Sequence, residues 1–316
     1  PSLLRYILAY FELTLKLLYR GLRNSPAVVH CHDDMVLPVA WIISKARGAK
    51  LVYDAHELES EKNSQSRINS TLTVLIEKIV WPSVDLLVTV SPSIKVWYKD
   101  KYGPKPAALV LNSPVYDSSK TQERGRQESS YLREKFGIPK ECKIFIYVGM
   151  LIPGRGIETL LRVFEEVKES HVVFLGFGIL EEKIKKAAGT SSNIHIHDAV
   201  PHHEVIDIIQ SADVGLCFIE KVSLSDYYCL PNKLFEYAFA GLPILASRFP
   251  DIESVMTRHN LGLCAVESFD GISEQVQFFE QEDFNYQPSG LNELSWDAQA
   301  ARLAEAYEQL LGTSIG

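Results

Sequence analysis

Apolar and polar residues follow two different periods along this chain. Short apolar runs bounded by turn residues predict buried strands, and apolar residues spaced by three and four predict helices. The predicted strands are residues 27–32, 50–56, 85–91 and 107–113 in the first half and 143–149, 171–178, 193–200, 213–220 and 244–247 in the second. Because helical segments separate them, the strands are predicted to be parallel and joined by crossover helices.

A polar stretch without an apolar period separates the two series of strands. We therefore predict the α/β class, with two Rossmann-like domains whose parallel sheets face a central cleft and bind ligands at the carboxyl ends of their strands. A length of 316 residues suits two domains better than one. The predicted division is an N-terminal domain at residues 1–113, a linker at 114–140, a second domain at 141–290 and a C-terminal helix at 291–316.

Residues 3–22 form a predicted amphipathic helix. Its charged residues share one narrow stripe at spacings of seven, four, four and three, and they are Arg5, Glu12, Lys16, Arg20 and Arg23. These charges interrupt the apolar residues too often for a membrane span. We favour a helix buried in the first domain. The alternative is a helix on a membrane surface, where its basic residues meet anionic head groups.

Composition and charge narrow the class of protein. The apolar content of 46 % is typical of a folded chain. The net charge is −8, yet residues 1–112 carry 14 Lys or Arg against 10 Asp or Glu. This balance argues against nucleic-acid binding and leaves an anionic substrate or a peripheral membrane contact open for the N-terminal domain. Five scattered cysteines and the lack of a signal-peptide pattern predict a cytoplasmic location.

One carboxylate lies inside an otherwise apolar segment, LPNKLFEYAFAGLPILAS. Pro231 before it and the GLP after it predict a short helix, which a buried strand follows. On that helix Asn232, Lys233 and Glu236 converge on one surface near the N-terminus, because they are three and four positions apart. The group is either a surface salt bridge or a site.

A glycine-containing loop follows the first predicted strand of the second half, in the segment YVGMLIPGRGIETLL. Gly149, Gly154 and Gly156 let backbone amides approach a ligand closely, and the helix that follows favours an anion at its N-terminus. Arg155 adds a cation that can bind phosphate through two nitrogens. The segment is either a phosphate site or an ordinary strand-to-helix turn, since it matches neither the P-loop nor the dinucleotide fingerprint.

Histidines end two predicted strands of the first half. His30 and His32 end one strand, and Asp54 and His56 end the next. A histidine at the carboxyl end of a parallel strand faces the ligand crevice and can act as donor, acceptor or base. A zinc site from His30, His32 and Asp54 is an alternative, but no convincing further ligand accompanies them, so we predict no metal.

Taken together, these motifs resemble the retaining nucleotide-sugar glycosyltransferases of family 4, which have the two-domain GT-B fold. The resemblance runs from about Ala27 to the C-terminus. Its motifs, in chain order, are AVVHCHD, KLVYDAHE, VTVS, VLNSP, YVGMLIPGRGIETLL, VVFLGFG, NIHIHDAVPHHEV, ADVGLCFIE, LPNKLFEYAFAGLPILAS and SWDAQAARLAEAY.

The resemblance implies a role for individual residues. Glu236 matches the glutamate that binds the donor ribose, Arg155 the basic residue on the diphosphate, and His56 the histidine that approaches the transferred sugar. Val200, in the DAVP segment, matches the backbone that reads the base. The implied donor-binding residues are Gly149, Arg155, Val200, Tyr228, Cys229, Leu230, Pro231, Asn232, Lys233 and Glu236, and the implied catalytic residues are His56, Arg155 and Lys233.

Three features depart from the family pattern. The family has a second glutamate where this chain has Tyr228, and Asp226 lies two positions away. An arginine common in the first loop is Met150 here, so the charge facing phosphate rests on Arg155 and Lys233. Family members also begin with a strand and a glycine-containing loop before the strand that here ends at His32. This implies either a truncated chain or loss of the acceptor side.

The function that the resemblance implies is transfer of a sugar from a nucleoside diphosphate sugar, of the UDP type, to a glycan or lipid-linked acceptor, with retention of configuration. The first domain would be the acceptor side and the second would bind the nucleotide sugar. No metal or other cofactor is expected, and the location would be cytoplasmic or at the inner face of the membrane. The alternatives are a nucleotide-sugar epimerase of the same shape and a non-catalytic nucleotide-sugar-binding subunit.

Overall fold

A computed structural model describes residues 3–63, 65–116, 130–282 and 284–312. The chain divides into two compact units. Unit 1 comprises Pro1–Leu111, Ser223–Ser225 and Gln299–Gly316, and unit 2 comprises Asn112–Val222 and Asp226–Ala298. Within the described residues no helix is both long enough and apolar enough to cross a membrane.

Unit 1 is built on a four-stranded parallel sheet in the order β1-β2-β3-β4. Its strands are β1 Val28–His32, β2 Lys50–Ala55, β3 Leu86–Thr89 and β4 Ala107–Leu109. Its helices before residue 112 are α1 Leu3–Arg23, α2 Leu37–Arg47, α3 Arg67–Val80 and α4 Pro92–Tyr102. Ser91 caps α4 as its position predicts, because its side chain accepts a hydrogen bond from the Ile94 amide.

Unit 2 is built on a six-stranded parallel sheet in the order β10-β9-β8-β5-β6-β7. Its strands are β5 Lys143–Val148, β6 Ser170–Leu175, β7 Ile194–His197, β8 Val214–Cys217, β9 Ile244–Ser247 and β10 Gly262–Ala265. The remaining helices are α5 Tyr131–Phe136, α6 Ile157–Glu166, α7 Glu181–Ala188, α8 His202–Ile209, α9 Leu224–Tyr227, α10 Asn232–Ala240, α11 Pro250–His259, α12 Phe269–Gln281, α13 Leu291–Leu294 and α14 Trp296–Leu311.

The strand order of unit 2 reverses between β5 and β8. The chain first adds β6 and β7 on one side of β5 and then adds β8, β9 and β10 on the other. This is the doubly wound order, in which the two loops at the reversal diverge and leave a crevice at the carboxyl ends of the strands. The loop after β5 and the segment after β8 are therefore where the fold positions a ligand.

Strands β5 and β8 pair only briefly, and a tyrosine on α10 bridges them where the pairing ends. The paired residues are Phe145 with Val214 and Ile146 with Gly215. Beyond them the Val148 amide donates a 2.8 Å hydrogen bond to the hydroxyl of Tyr237, which donates in turn to the carbonyl of Leu216 at 3.2 Å. Tyr237 is fully buried. Its hydroxyl thus replaces the missing ladder bonds and holds α10 at the reversal.

Glycine is needed in the LGFG turn because two loops meet there without room for side chains. A Cβ at Gly176 would lie 1.9 Å from the carbonyl oxygen of Gly149, and one at Gly178 would lie 2.3 Å from that of Leu151. The Leu151 amide also donates a 2.8 Å hydrogen bond to the Phe177 carbonyl. These contacts give the LGFG turn a structural role.

Every strand that the apolar runs predict is present, although most are shorter than predicted. The fourth is the most reduced, at Ala107–Leu109 instead of 107–113. Strand β10 and helices α11 and α12 were not predicted. Helix α5 lies inside the predicted linker at 114–140, and residues 117–129 of that linker lie outside the described residues. The predicted domain boundaries themselves stay a prediction.

The prediction that the first helix is buried is wrong. Helix α1 has the predicted extent, but Leu8, Phe11 and Tyr19 are 57 %, 59 % and 61 % exposed. The helix packs against α2, where the α-carbon of Gly21 lies close to Ile43. Apolar residues surround much of the helix, so one packing partner leaves many of them exposed. The alternative of a membrane-surface helix stays a prediction.

The last described helix covers the sheet of unit 1. Four buried residues of β2, β3 and the segment after β4 form a small core, and α14 packs on it; they are Val52, Leu86, Val88 and Val110. Leu303, Tyr307 and Leu310 supply the helix side of this contact. The buried side chain of Gln299 fixes the start of the contact, because it accepts a 3.1 Å hydrogen bond from the Leu111 amide.

We expect Tyr237→Phe to lower the free energy of unfolding by about 1–3 kcal/mol, because the buried Val148 amide and Leu216 carbonyl both lose a partner. Urea unfolding followed by circular dichroism measures the change. Tyr286→Phe is the matched control, since its hydroxyl donates one bond to the Ala238 carbonyl of the same helix from a partly exposed position. Equal, small losses for both variants would contradict the bridging role of Tyr237.

Candidate functional site

Helix α10 presents its N-terminus beside the reversal in strand order. Pro231 is its N-cap residue with φ −75° and ψ 143°, and no side chain caps the helix there. The helix therefore begins at Asn232, so Pro231 precedes its first turn instead of lying in it. Gly241 ends it in the left-handed conformation at φ 81°. The helix start thus leaves backbone amides and their partial positive charge available to an anion.

Lys233 brings a cation to the same place. Its ammonium nitrogen lies 3.7 Å from the centre of the Tyr147 ring, at the end of β5. That nitrogen is buried and has no hydrogen-bond partner among the described residues. A buried ammonium without a hydrogen-bonded acceptor is unfavourable, and contact with a ring face compensates for only part of the lost hydration. The site is therefore electrostatically prepared for an anion.

Glu236 lies one helical turn further along α10 and is held in an apolar setting. Its side chain is 14 % exposed, and Oε1 lies 3.7 Å from Nε2 of His202. Burial raises the pKa of this carboxyl above its usual range, and the charges of His202 and Lys233 offset part of that rise. Because few donors contact this carboxylate, it can accept hydrogen bonds from the hydroxyl groups of a ligand.

A cavity of about 260 Å³ opens at Glu236. Its lining comes from the start of unit 2, from α8 and α10, and from the start of α14: Asn112, Ser113, Pro114, His202, Asn232, Glu236 and Trp296. The hydroxyl oxygen of Ser113 is buried without a hydrogen-bond partner among the described residues. The Trp296 amide donates a 3.1 Å hydrogen bond to the carbonyl of Pro114. This bond connects the cavity wall from α14 with the wall from residues 112–114.

Arg155 lies in the loop after β5, as predicted, but it is paired. Its Nη1 lies 3.3 Å from Oδ1 of Asp226, and the two side chains are 35 % and 17 % exposed. Gly154 and Gly156 flank it with φ values of 82° and 73°, and a Cβ at Gly156 would lie 2.6 Å from that of Phe218. The loop after β5 thus packs directly on the segment after β8.

The turn before α10 contains three further predicted donor-binding residues, Tyr228, Cys229 and Leu230. Tyr228 is half-buried, and its ring lies beside that of Tyr227 with centroids 5.4 Å apart and ring planes tilted by 37°. The Cys229 amide donates a long 3.4 Å hydrogen bond to the carbonyl of Asp226, and Leu230 is buried. Asp226, two positions from the expected glutamate, is therefore the carboxylate that this turn places beside Arg155.

The predicted site residues fall into two groups. Those from Gly149 to Glu236 all belong to unit 2, and Val200 lies two residues before the cavity residue His202. His56 belongs to unit 1, where its ring stacks on that of His32. The structure also brings His30, His32 and Asp54 together, so that one ligand atom of each lies within 4.8 Å of the others.

Sequence reasoning missed several cavity residues. The sequence motifs do not predict a role for His202 or Trp296, and they include residues 112–114 only as part of VLNSP. A signal for each was available, since His202 follows the DAVP segment and Trp296 begins the SWDAQ segment. What the sequence lacks is any indication that these distant segments border one cavity, because that depends on how α8 and α10 pack.

Part of unit 2 is similar to a known family of sugar-transferring proteins. Residues 142–278 match the model of the family described as glycosyl transferases group 1. The chain is also similar to D-inositol 3-phosphate glycosyltransferase of Corynebacterium diphtheriae, with 22 % identity over 310 residues. That alignment covers 89 % of this chain and 70 % of the relative.

Solved structures share the fold over nearly the whole chain. Sucrose-phosphate synthase from Thermosynechococcus elongatus matches with a TM-score of 0.70 at 15 % identity, over 90 % of this chain and 74 % of that one. HepE from Anabaena, in complex with UDP-glucose, matches with a TM-score of 0.66 at 12 % identity, over 95 % and 81 %. The predicted fold class is therefore confirmed: the chain is α/β with two parallel sheets, as in GT-B glycosyltransferases.

The raised pKa of Glu236 makes a prediction about stability. Its ordinary value is 4.5, and because the folded protein holds the proton more tightly than the unfolded chain, the carboxyl destabilises the fold as pH rises through the folded pKa. We expect Glu236→Gln to be more stable than the natural chain at about pH 7 and equally stable at about pH 4. Urea unfolding at both pH values measures this.

Glu253→Gln serves as the control for this experiment. Glu253 is 51 % exposed on α11 and lies 3.7 Å from the exposed Arg248, so its loss should change stability little at either pH. A Glu236→Gln variant that is less stable than the natural chain at about pH 7 would show that the carboxylate stabilises the fold instead.

Proposed function

We propose that this chain is a glycosyltransferase that takes a sugar from a nucleoside diphosphate sugar, of the UDP type. The acceptor is a glycan or a lipid-linked molecule, and the sugar keeps its anomeric configuration. The anomeric carbon exchanges its bond to a diphosphate oxygen for a bond to an acceptor hydroxyl oxygen, so negative charge accumulates on the diphosphate. Stabilising that charge is the main task of the site.

The observation that carries this proposal is the buried Lys233 ammonium at the N-terminus of α10. It has no hydrogen-bond acceptor among the described residues, and it lies at the reversal in strand order, where doubly wound sheets bind nucleotides. A diphosphate there would satisfy the ammonium and the free amides of α10 together. A surface salt bridge leaves the lysine ammonium exposed to water, whereas the ammonium nitrogen of Lys233 is buried.

Glu236 is the proposed ligand of the ribose. Its carboxylate borders the cavity and is one helical turn from Lys233, so a ribose on Glu236 leaves its diphosphate directed towards the helix start. Val200 and the backbone around it would then receive the base, because His202 links that segment to Glu236. The hydrogen bonds from ribose hydroxyls would fall on a carboxylate that has few competing donors.

Arg155 is the second proposed cation for the diphosphate. Its present partner is Asp226, and a guanidinium has enough donors to bind a phosphate while it keeps a carboxylate. We assign Asp226 to the hydroxyl groups of the transferred sugar, in place of the glutamate expected at Tyr228. No metal is assigned to the diphosphate, since two cations and the α10 amides face it.

The role of His56 rests on the family resemblance. It belongs to unit 1, and its side chain is 34 % exposed. As the resemblance implies, the imidazole would contact the transferred sugar. The retained configuration and the acceptor class rest on the same resemblance. The Corynebacterium relative is named for transfer to D-inositol 3-phosphate, and the HepE structure contains UDP-glucose, which supports a sugar nucleotide as donor.

Calorimetry with UDP, GDP and ADP tests the donor class, and we expect UDP to bind most tightly. Mixtures of a UDP-sugar with glycan and lipid-linked acceptors are then analysed by mass spectrometry and proton NMR. A product with the donor's anomeric configuration supports the proposal. Epimerised donor without acceptor would favour an epimerase, and binding without transfer or hydrolysis would favour a non-catalytic subunit.

Glu236→Ala should weaken UDP binding about tenfold or more, because hydrogen bonds to a charged group are worth about 1.5–3 kcal/mol. Isothermal titration calorimetry measures the affinity. Glu253→Ala is the matched control and should bind UDP like the natural chain, since its exposed carboxylate faces Arg248. Unchanged UDP affinity in Glu236→Ala would contradict the ribose assignment.

Arg155→Ala should weaken UDP binding about tenfold or more and uridine binding by about twofold at most, because only UDP offers phosphate oxygens to the guanidinium. Arg162→Ala is the control, as this exposed arginine lies on α6 and approaches Thr159 of the same helix. Equal losses for UDP and uridine would mean that Arg155 acts by holding the loop in place.

A further inference from the structure

Four side chains with metal-binding atoms share one face of the unit 1 sheet at its carboxyl edge. His32 of β1 is the ladder partner of Asp54 in β2, so their side chains project to the same side. His30 precedes His32 by two residues and His56 follows Asp54 by two. Because strand side chains alternate with a period of two, His30 also belongs to this face, and His56 continues it beyond the strand.

Two of the histidines converge on a single oxygen of the Asp54 carboxylate. Nε2 of His30 lies 3.1 Å from Oδ2 of Asp54, and Nδ1 of His32 lies 3.2 Å from the same oxygen. The two imidazole rings stack with centroids 4.4 Å apart. Two ring nitrogens from stacked histidines therefore lie close enough to one oxygen to share a cation with it.

The spacing of these atoms suits a small divalent ion. Zinc binds nitrogen and oxygen at about 2.0–2.2 Å, which places neighbouring ligands of a tetrahedral ion about 3.3 Å apart. The two measured separations, 3.1 Å and 3.2 Å, are close to this value. All three ligand atoms lie within 4.8 Å of one another, so side-chain adjustments would bring them onto one ion.

The second oxygen of the buried Asp54 carboxylate is not hydrogen-bonded within the described part of the chain. The side chain of Asp54 is 7 % exposed, and its Oδ1 has no hydrogen-bond partner among the described residues. The nearest cationic candidate for Oδ1 is Nδ1 of His56, which is 3.7 Å away and has no hydrogen-bond partner there either. A buried carboxylate is costly unless it is paired or coordinates a metal.

A histidine that binds a metal commonly donates its other ring N–H to a neighbouring group, and Tyr307 is such a neighbour of His30. Its hydroxyl lies 2.5 Å from Nδ1 of His30, on the opposite side of the ring from Asp54. If Nδ1 carries the proton and donates it to Tyr307, Nε2 keeps its lone pair for a cation. Helix α14, which contains Tyr307, thus fixes the ring orientation that ligation needs.

We propose that His30 Nε2, His32 Nδ1 and Asp54 Oδ2 bind one Zn²⁺ ion or a similar first-row divalent ion. Two imidazoles and a carboxylate are a usual three-ligand set for zinc, with a fourth position left for water or another ligand. The exposed side of His32, at 61 %, gives the ion a path from solvent. The site lies in unit 1 and does not depend on the proposed nucleotide site of unit 2.

The test uses the full chain without a histidine tag, freed of metal by chelator and dialysis. Zinc is titrated by calorimetry and against a chromophoric zinc indicator, and bound cobalt is followed by its visible absorption. We expect one equivalent of zinc to bind saturably. His32→Gln and His30→Gln should each weaken it about tenfold or more. His32 is exposed enough that its substitution should leave the fold intact, which circular dichroism checks.

His195→Gln is the matched control. Nε2 of His195 lies 2.9 Å from Nδ1 of His171 in a stacked pair of unit 2, so it represents a histidine pair without a carboxylate ligand. This variant should keep the equivalent of zinc that His32→Gln loses. Zinc binding that is absent in the natural chain, or unchanged in His30→Gln and His32→Gln, overturns the proposal. UDP affinity, measured on the same samples, tests the proposed nucleotide site of unit 2 independently of zinc binding.

Discussion

The hydroxyl of Tyr237 holds together the part of the molecule on which the candidate nucleotide site depends. Strands β5 and β8 must separate for a crevice to exist, and separation costs ladder hydrogen bonds in a buried sheet. Tyr237 replaces those bonds from α10, so the same side chain permits the opening and fixes the helix beside it. The positions of Lys233 and Glu236 follow, because both lie on that helix within one turn of Tyr237.

Much of this arrangement can be read from the sequence, because local rules and global fold agree there. The apolar runs give the strands, Gly241 ends α10 as expected, and the three-and-four spacing places Lys233 and Glu236 on one helix near its start. The cluster of His30, His32 and Asp54 was also accessible from period-two alternation. Alternation does not determine the register between β1 and β2. That register makes His32 and Asp54 neighbours.

Other features depend on tertiary packing that no local pattern encodes. The exposure of α1 is one, since its apolar residues predict burial, yet Leu8, Phe11 and Tyr19 stay exposed although the helix packs against α2. The pairing of Arg155 with Asp226 is another, because it requires the loop after β5 to meet the segment after β8. The cavity at Glu236 combines residues from 112 to 296, and only the folded chain shows that Trp296 borders it.

Helix α14 has a consequence for the order in which the protein becomes complete during synthesis. Gln299 bonds to Leu111 across 188 positions, and its helix covers the core of the first sheet. The apolar face around Val52 and Val88 therefore stays uncovered on the ribosome until the residues of α14 have been made. Unit 2 is nearly continuous between residues 112 and 298, so it can finish first. Unit 1 is therefore closed after unit 2, although its sheet is translated first.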